Sequence, residues 1–160
     1  KDGSNPAKAA NLCKTFSHFI NAQRFANEVL EPCLNMFGSL GAGGKANSWY
    51  RYDIPSGGST TSQHLIALAI DSTFGGASGD ALCEKFFKLM KSGIEFDQII
   101  LEGNGSQWRW LHIGKQMNGT NRKQIKLAFS ATAGQYKNVR VDKVKSPADL
   151  NFSVARKVCY

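Results

Sequence analysis

Three side chains in two separate stretches of the chain are of the types that bind a divalent metal ion. His64 opens the apolar run Leu65–Ile70, Asp71 closes it, and His112 lies in a later run rich in tryptophan. Because an unpaired polar group inside a protein is costly, a buried imidazole and carboxylate need partners, and a metal ion is one such partner. Two histidines and an aspartate supply three ligands and leave the fourth position of a tetrahedral zinc ion open for water.

A further carboxylate is placed to act as a base beside such an ion. Glu102 ends the apolar run Ile99–Leu101, and the turn-forming segment Gly103–Gly105 separates it from the run that contains His112. A hairpin through this turn would bring Glu102 next to the tryptophan-rich run, where it can accept a proton from an attacking water. The alternatives are a solvated charge at a strand end for Glu102 and a core histidine for His112.

The spacing of these residues sets conditions on the backbone. His64 and Asp71 are an odd number of residues apart, so a regular strand would turn them to opposite faces. Both reach one metal ion only if the chain bends between them, or if His64 precedes the strand. Trp108, Trp110 and His112 alternate, which predicts that one face of their strand carries two large aromatic rings and an imidazole.

Hydrophobic periodicity predicts the elements that position these side chains. Apolar residues from Ala22 to Phe37 recur at helical spacing, with Pro32 expected to kink or restart the helix and Gly38 to end it. A second helix is predicted for Ser78–Ser92, and a helical turn near Asn121–Gln124. The predicted strands are Ser48–Tyr52, Leu65–Ile70, Gln98–Leu101, Gln107–Ile113, Lys126–Phe129, an edge strand at Tyr136–Val141, and then a docked tail at Val154–Cys159.

This order of elements predicts a single α+β domain over residues 1–160. Its core is expected at about 22–130, with 1–21 and 131–160 as flanking segments, and its helices should pack on a small central antiparallel sheet. Hydrophobic content of 42% is typical of a globular protein, and Leu65–Ile70, the longest apolar run, is far too short to span a membrane.

Charge and cysteine content narrow the classes of partner. The chain has 20 Lys and Arg against 12 Asp and Glu, a net charge of +8, which favours anionic partners such as nucleic acid, anionic lipid or bacterial cell wall. The four cysteines form no Cys-x-x-Cys pair, which disfavours a structural zinc site held by thiolates. Cys33 and Cys83 lie on the apolar faces of predicted helices, where buried free thiols are expected, although the residues leave a disulfide open.

Several segments in a fixed order resemble the zinc D-Ala-D-Ala carboxypeptidase family and the related phage endolysins. That family carries a Ser-Gly-Tyr-Arg element, a Gly-Gly turn, the pattern Ser-x-His-x-x-Gly-x-Ala-x-Asp, and later a Glu and a Trp-x-His segment. The chain departs from this pattern at Trp49 and Ala67, which stand where the family has glycine. The matching segments, which span about Ala22 to Phe129, are Val29–Pro32, Ser48–Arg51, Gly57–Ser59, Ser62–Asp71, Phe96–Glu102, Trp110–Gly114 and Asn121–Arg122.

The resemblance implies a role for each matching residue. It implies zinc held by His64, Asp71 and His112, Glu102 as the catalytic base, and Arg51 as the group that binds substrate or stabilises the developing oxyanion. It also implies that Ser62, Tyr50 and Trp110 contact substrate. The implied substrate is a peptide bond in the stem peptides or cross-links of bacterial peptidoglycan, so the protein would act at the cell envelope, in the periplasm or the wall. The phage relatives suggest a phage-encoded, virion-associated enzyme as one origin.

Two other functions are compatible with the same residues. The first is a zinc-binding domain of the same fold without hydrolytic activity, as in the signalling domain of hedgehog proteins, which shares the ligand set. The second is a basic nucleic-acid-binding module that stacks bases on Trp108, Trp110 and Tyr50. An intact Glu102 and Arg51 favour the peptidase over the first of these. The sequence leaves the oligomeric state and the bond that is cut open.

Overall fold

The structure is a computed structural model that describes residues 16–41, 46–51, 60–116, 119–130 and 135–160. The first fifteen residues of the flanking segment 1–21, which include Cys13, and the Gly57–Ser59 segment lie outside these ranges. Within the described residues, no helix combines the length and the apolar character needed to cross a bilayer.

The first helical stretch is continuous but changes its hydrogen-bond pattern twice. It consists of α1 (Phe16–Phe25), a π-helical turn (Ala26–Leu30) and α2 (Glu31–Phe37). Pro32 lies in the first turn of α2, where its missing N–H costs least, so the predicted restart at this residue is confirmed. Gly38 ends α2 with a φ of 81° and donates its N–H to the Leu34 carbonyl, as expected for a glycine at a helix end.

The second predicted helix, α3, is confirmed with the bounds Ala81–Lys91. Its buried face consists of Leu82, Cys83, Phe86 and Leu89. Cys33 and Cys83 are free, buried thiols, as predicted. Burial raises the pKa of both to about 12, so they serve as packing residues rather than as nucleophiles.

Five strands form one sheet in the order β1-β3-β2-β4-β5. They are β1 (Ala69–Ser72), β2 (Gln98–Gly103), β3 (Trp108–Gly114), β4 (Gln124–Ala128) and β5 (Tyr136–Asn138). The fold is α+β as predicted, but the antiparallel sheet is wrong, because β2 and β4 pair in parallel and the sheet is mixed. The reason is topological. The β2–β3 hairpin returns the chain to the end where β2 begins, and a strand that adds to the free edge of β2 from there runs in the same direction.

Three local predictions are also wrong. Leu65 and Ile66 belong to a 3-10 turn, Gln63–Ile66, and the strand that follows begins only at Ala69. The described part of Ser48–Tyr52 makes only an isolated bridge, from Ser48 to Asp71. The residues at 121–123 form no helical turn, and Gln124 already belongs to β4.

A bulge in the β2–β3 hairpin separates the two tryptophans of β3. Glu102 pairs with Trp110 but Gly103 pairs with Trp108, which leaves Arg109 as the extra residue and reverses the facing of the chain before it. Trp108 therefore turns into the core, where its Nε1 donates to the Leu150 carbonyl at 2.8 Å. The predicted common face for Trp108 and His112 is wrong for this reason.

The chain after β5 closes over the same core. It forms three 3-10 turns, Val141–Lys143, Pro147–Leu150 and Ala155–Val158. Leu150 and Ala155 are fully buried, and a backbone bridge joins Val139 to Cys159. The docked tail predicted at Val154–Cys159 is thus confirmed.

Candidate metal centre

The candidate ligands lie on the sheet face opposite the one from which Trp108 enters the core. Asp71 of β1 and His112 of β3 are direct cross-strand partners, and such partners in an antiparallel pair share a face. The 3-10 turn and a left-handed Ala67, with a φ of 61° and a ψ of 30°, then fold His64 back over Asp71. The bend that the odd spacing required is therefore made by this turn, before the strand begins.

The three donor atoms form a compact triangle. His64 Nε2 lies 3.2 Å from Asp71 Oδ1 and 3.3 Å from His112 Nδ1, and His112 Nδ1 lies 2.9 Å from Asp71 Oδ1. Zinc bound at about 2.0–2.1 Å by nitrogen and oxygen donors would hold tetrahedral ligand atoms about 3.3 Å apart. The observed triangle is close to that size, and all three residues are buried, so the group can hold a metal ion.

The hydrogen bonding of His64 gives a second reason to place a cation here. Its Nδ1 lies 2.6 Å from the Trp49 carbonyl oxygen, which only accepts, so Nδ1 carries the proton. In the neutral imidazole the Nε2 lone pair then points at the Asp71 carboxylate, lone pair against lone pair. A cation between them turns this repulsion into coordination, and the Trp49 carbonyl becomes the outer contact that orients the ligand.

Asp71 is held from its second oxygen by Arg51. Arg51 Nη2 donates to Asp71 Oδ2 at 2.7 Å and its Nε donates to Ser48 Oγ at 3.0 Å. Burial alone would raise the pKa of Asp71, but the hydrogen bond from His112 holds it well below its usual range. Asp71 is therefore ionised at neutral pH, with Oδ1 directed at the two imidazoles.

Burial lowers the pKa of His112, which favours the neutral imidazole that a metal ion needs. Its Nε2 lies 3.3 Å from Gln98 Nε2, and Gln98 in turn donates to Gln63 Oε1. Gln63 donates to Asp97 Oδ2 at 3.0 Å and to the Lys115 carbonyl at 2.9 Å. Sequence reasoning missed this buried polar chain behind His112. The available signal was a pair of glutamines, Gln63 beside the candidate ligand His64 and Gln98 at the start of an apolar run, because hydrophobic packing requires neither.

Glu102 of β2 lies on the same sheet face as Trp110 and His112 of the neighbouring strand β3. It is opposite Trp110, and its pKa is raised to about 7 by burial and by the nearby Asp71, against smaller lowering effects of Trp110 and Arg51. A carboxyl group with this pKa exchanges protons readily near neutral pH. The predicted approach of Glu102 to the tryptophan-rich strand is confirmed.

The other three residues predicted to contact substrate have different surroundings. Trp110 lies next to the site, half-buried and directly opposite Glu102. The Tyr50 hydroxyl lies 3.2 Å from His18 Nδ1 of α1. Ser62 directly precedes the 3-10 turn, and its carbonyl accepts from the Leu65 N–H.

Tyr136 is a further residue at this face that sequence reasoning placed only on an edge strand. Glu102 pairs with Ala128, and Ala128 pairs with Tyr136, so the three lie in one row across the sheet with a small residue in the middle. Burial raises the pKa of Tyr136, and the Glu102 carboxylate raises it further. Its phenol therefore remains a hydrogen-bond donor on the β5 side of Glu102.

No protein-family model, curated protein or solved structure matches this chain. The case for a function therefore depends on the geometry of the site and on the residues that occupy it.

Proposed function

We propose that the protein is a zinc-dependent peptidase that cleaves peptide bonds in bacterial peptidoglycan. The observation that carries the proposal is the triangle of His64, Asp71 and His112, which is buried and has the dimensions of a tetrahedral zinc site. A carboxyl group with a pKa of about 7, Glu102, is on the same face.

The ligand set favours zinc among the common metals. Two imidazoles and one carboxylate suit zinc, whereas magnesium and calcium prefer oxygen ligands alone. With three protein ligands, one position stays open, as in catalytic rather than structural zinc sites. When bound there, zinc would lower the pKa of a water molecule and polarise the scissile carbonyl.

The side chains around the ion have separate tasks in this proposal. Glu102 takes a proton from the attacking water on a carboxylate oxygen and passes it to the nitrogen of the leaving amine. Its raised pKa suits both steps near neutral pH. Arg51 fixes Asp71 through one guanidinium nitrogen and, being partly exposed, contributes positive charge near the developing oxyanion.

The substrate class rests on the resemblance to the D-Ala-D-Ala carboxypeptidases and on charge. A net charge of +8 would keep the protein close to an anionic cell envelope, whether it reaches the wall from a phage particle or from the periplasm. The cleaved bond is either D-Ala-D-Ala, L-Ala-D-Glu or a cross-bridge.

The first test is zinc stoichiometry by elemental analysis on the wild type, His112→Ala and His18→Ala. The proposal expects about one zinc per chain in the wild type and in His18→Ala, whose histidine lies outside the triangle, and none in His112→Ala. Absence of zinc from the wild type after reconstitution would refute the metal site.

The second test is digestion of purified peptidoglycan, with products identified by mass spectrometry, by the wild type and by Glu102→Gln. If the protein is a peptidase, the wild type should release products with new amino termini, and Glu102→Gln should do so at least about 100-fold more slowly. The use of Arg51 as a clamp on Asp71 would also suit a zinc-binding domain without hydrolytic activity. That alternative is favoured if zinc binds but the wild type releases no products.

A further inference from the structure

The buried polar chain behind His112 has a fixed direction of hydrogen-bond donation. Gln63 Nε2 lies 3.0 Å from Asp97 Oδ2 and 2.9 Å from the Lys115 carbonyl oxygen. The ionised carboxylate and the carbonyl only accept, so the Gln63 amide uses both of its N–H bonds on them and its Oε1 remains as an acceptor. The atom of Gln98 that lies 3.3 Å from Gln63 Oε1 must therefore be the nitrogen of its amide.

Two further contacts hold the beginning of this chain in place. Arg122 donates to Asp97 from its backbone N–H and from its Nε, at 2.9 Å each. Gln63 Oε1 occupies the space that a Cβ atom at Gly114 would fill, so the glycine leaves room for this amide. Because Gln63 is held from two sides and both of its N–H bonds are in use, its amide is not free to turn over.

The direction of donation determines which nitrogen of His112 carries the ring hydrogen. The same Gln98 nitrogen lies 3.3 Å from His112 Nε2, so this ring nitrogen accepts. In a neutral imidazole the hydrogen is then on Nδ1, which donates to Asp71 Oδ1 at 2.9 Å. In this arrangement every donor of the chain from Asp97 to Asp71 faces an acceptor.

Coordination of a metal ion by His112 would require the opposite arrangement. The atom that His112 contributes to the triangle is Nδ1, and a coordinated nitrogen carries no hydrogen, so the ring hydrogen would be on Nε2. Two N–H groups would then face each other across 3.3 Å. Ligating histidines usually donate their second N–H to an acceptor. The Gln98 amide can supply one, because it ends in an oxygen as well as a nitrogen.

We propose that Gln98 is a positioning residue of the metal centre and that its hydrogen bond to His112 reverses when zinc binds. Without metal, Gln98 Nε2 donates to His112 Nε2. With zinc bound, Gln98 Oε1 accepts from this nitrogen, and Gln98 Nε2 keeps its bond to Gln63. One proton leaves Nδ1 and one is taken up at Nε2, both by exchange with water, so the ring stays neutral. The inference rests on the metal site of the proposed function but not on peptide cleavage.

The first experiment locates the ring hydrogens by a long-range proton–nitrogen correlation spectrum of protein labelled in its histidines. Spectra are recorded without metal and with one equivalent of zinc, and His18→Ala and His112→Ala assign the signals. We expect the His112 hydrogen on Nδ1 without metal and on Nε2 with zinc. His64 should keep its hydrogen on Nδ1 in both states, because that atom faces the Trp49 carbonyl. A His112 hydrogen on Nε2 in the metal-free protein would overturn the inference.

The second experiment is zinc affinity by competition with a chromogenic chelator. Gln98→Leu offers no acceptor and should bind zinc about 10–100-fold more weakly than the wild type. Gln107→Leu, the matched loss of an exposed glutamine, should bind zinc as the wild type does. Gln98→Glu should bind zinc at least about tenfold more tightly than Gln98→Leu, because a carboxylate only accepts. In metal-free Gln98→Glu the His112 hydrogen should already be on Nε2.

The outcomes separate this role of Gln98 from simple packing and from the proposed function. Gln98 is a packing residue if Gln98→Leu binds zinc as tightly as the wild type, or if Gln98→Glu binds it no more tightly than Gln98→Leu. A wild type that binds no zinc refutes this role together with the metal site. Zinc binding with the expected exchange of the ring hydrogen, but without cleavage of peptidoglycan, keeps the role of Gln98 and refutes the peptidase.

Discussion

Two aspartates among the described residues, Asp97 and Asp71, are buried and ionised, each against an arginine, yet their surroundings differ in kind. Asp97 accepts from the Arg122 N–H and Nε at 2.9 Å each and from Gln63 at 3.0 Å, so donors surround both of its oxygens. Asp71 accepts from Arg51 at one oxygen, while its other oxygen faces two imidazole nitrogens, one of which has only a lone pair to offer.

The difference separates a structural carboxylate from a candidate metal ligand. Burial would raise the pKa of Asp97, and the hydrogen bonds from Arg122 and Gln63 overcome this and lower it, which completes its polar environment. The second oxygen of Asp71 instead faces the two other candidate metal ligands, His64 and His112. The pKa of both groups is lowered, so it is the donor count around each carboxylate, and not its charge, that identifies the site.

The largest expected difference between substitutions of the two aspartates is in zinc affinity. Asp71→Asn replaces an anionic ligand by a neutral amide of the same shape. Loss of a residue that only orients a metal ligand costs up to about 100-fold in metal affinity. Loss of the ligand itself should cost more, as measured by competition with a chromogenic chelator. Asp97→Asn is the matched variant and should still bind about one zinc per chain. Equal losses in the two variants would contradict the distinction.

The second expected difference is in stability, and here the substitution of Asp97 has the larger effect. Asp97→Asn leaves Gln63 and the Arg122 backbone without their anionic acceptor, so the free energy of unfolding in urea should fall by about 2–4 kcal/mol. Asp142→Asn, which alters an exposed ion pair with Lys143, should leave the urea midpoint unchanged. If the metal-free Asp97→Asn protein were as stable as the metal-free wild type, Asp97 would not be a structural carboxylate.

Glu102 sharpens the comparison because, unlike the two aspartates, it forms no ion pair with the described residues. Its pKa is about 7 in the folded protein against an ordinary 4.5, so the folded state binds more protons than the unfolded one between these values. The free energy of unfolding of the metal-free protein should therefore fall by about 2 kcal/mol as the pH rises from 4.5 to 7, and level off above 7. Glu102→Gln should lack this fall. Parallel pH profiles in the two proteins would show that Glu102 titrates normally.

The sequence predicts the residues of the site better than the path of the chain between them. The need of buried polar groups for partners, together with the resemblance to the D-Ala-D-Ala carboxypeptidases, gathers His64, Asp71 and His112 from the sequence. The hairpin that brings Glu102 to Trp110 also follows from a glycine turn between two apolar runs.

Backbone irregularities are what periodicity does not predict. The apolar residues Leu65 and Ile66 suggest a buried strand, but the 3-10 turn buries Gln63 and His64 instead and leaves Ile66 exposed. A bulge reverses the facing of Trp108 without any change of composition. The parallel pairing of β4 depends on where the hairpin ends, which is a long-range property. The misplaced residues are thus those whose facing is decided by a single local bend.

Ala67 is the bend on which the site itself depends, and it gives the smallest predicted effect. Alanine in the left-handed region costs about 1–2 kcal/mol, while its buried methyl group gains about 0.8 kcal/mol and the unfolded glycine chain is the more flexible. These contributions nearly cancel, so Ala67→Gly should change the free energy of unfolding by less than about 0.5 kcal/mol. Zinc affinity should stay within about twofold of the wild type, since the bend toward His64 is already made with alanine.

A tenfold gain in zinc affinity would instead mean that the methyl group strains the metal-bound site, and that the glycine of the D-Ala-D-Ala carboxypeptidases at this position is worth that factor. Ala67→Val separates the two readings, because a β-branched residue cannot adopt the left-handed bend without strain and should lower stability and zinc affinity together.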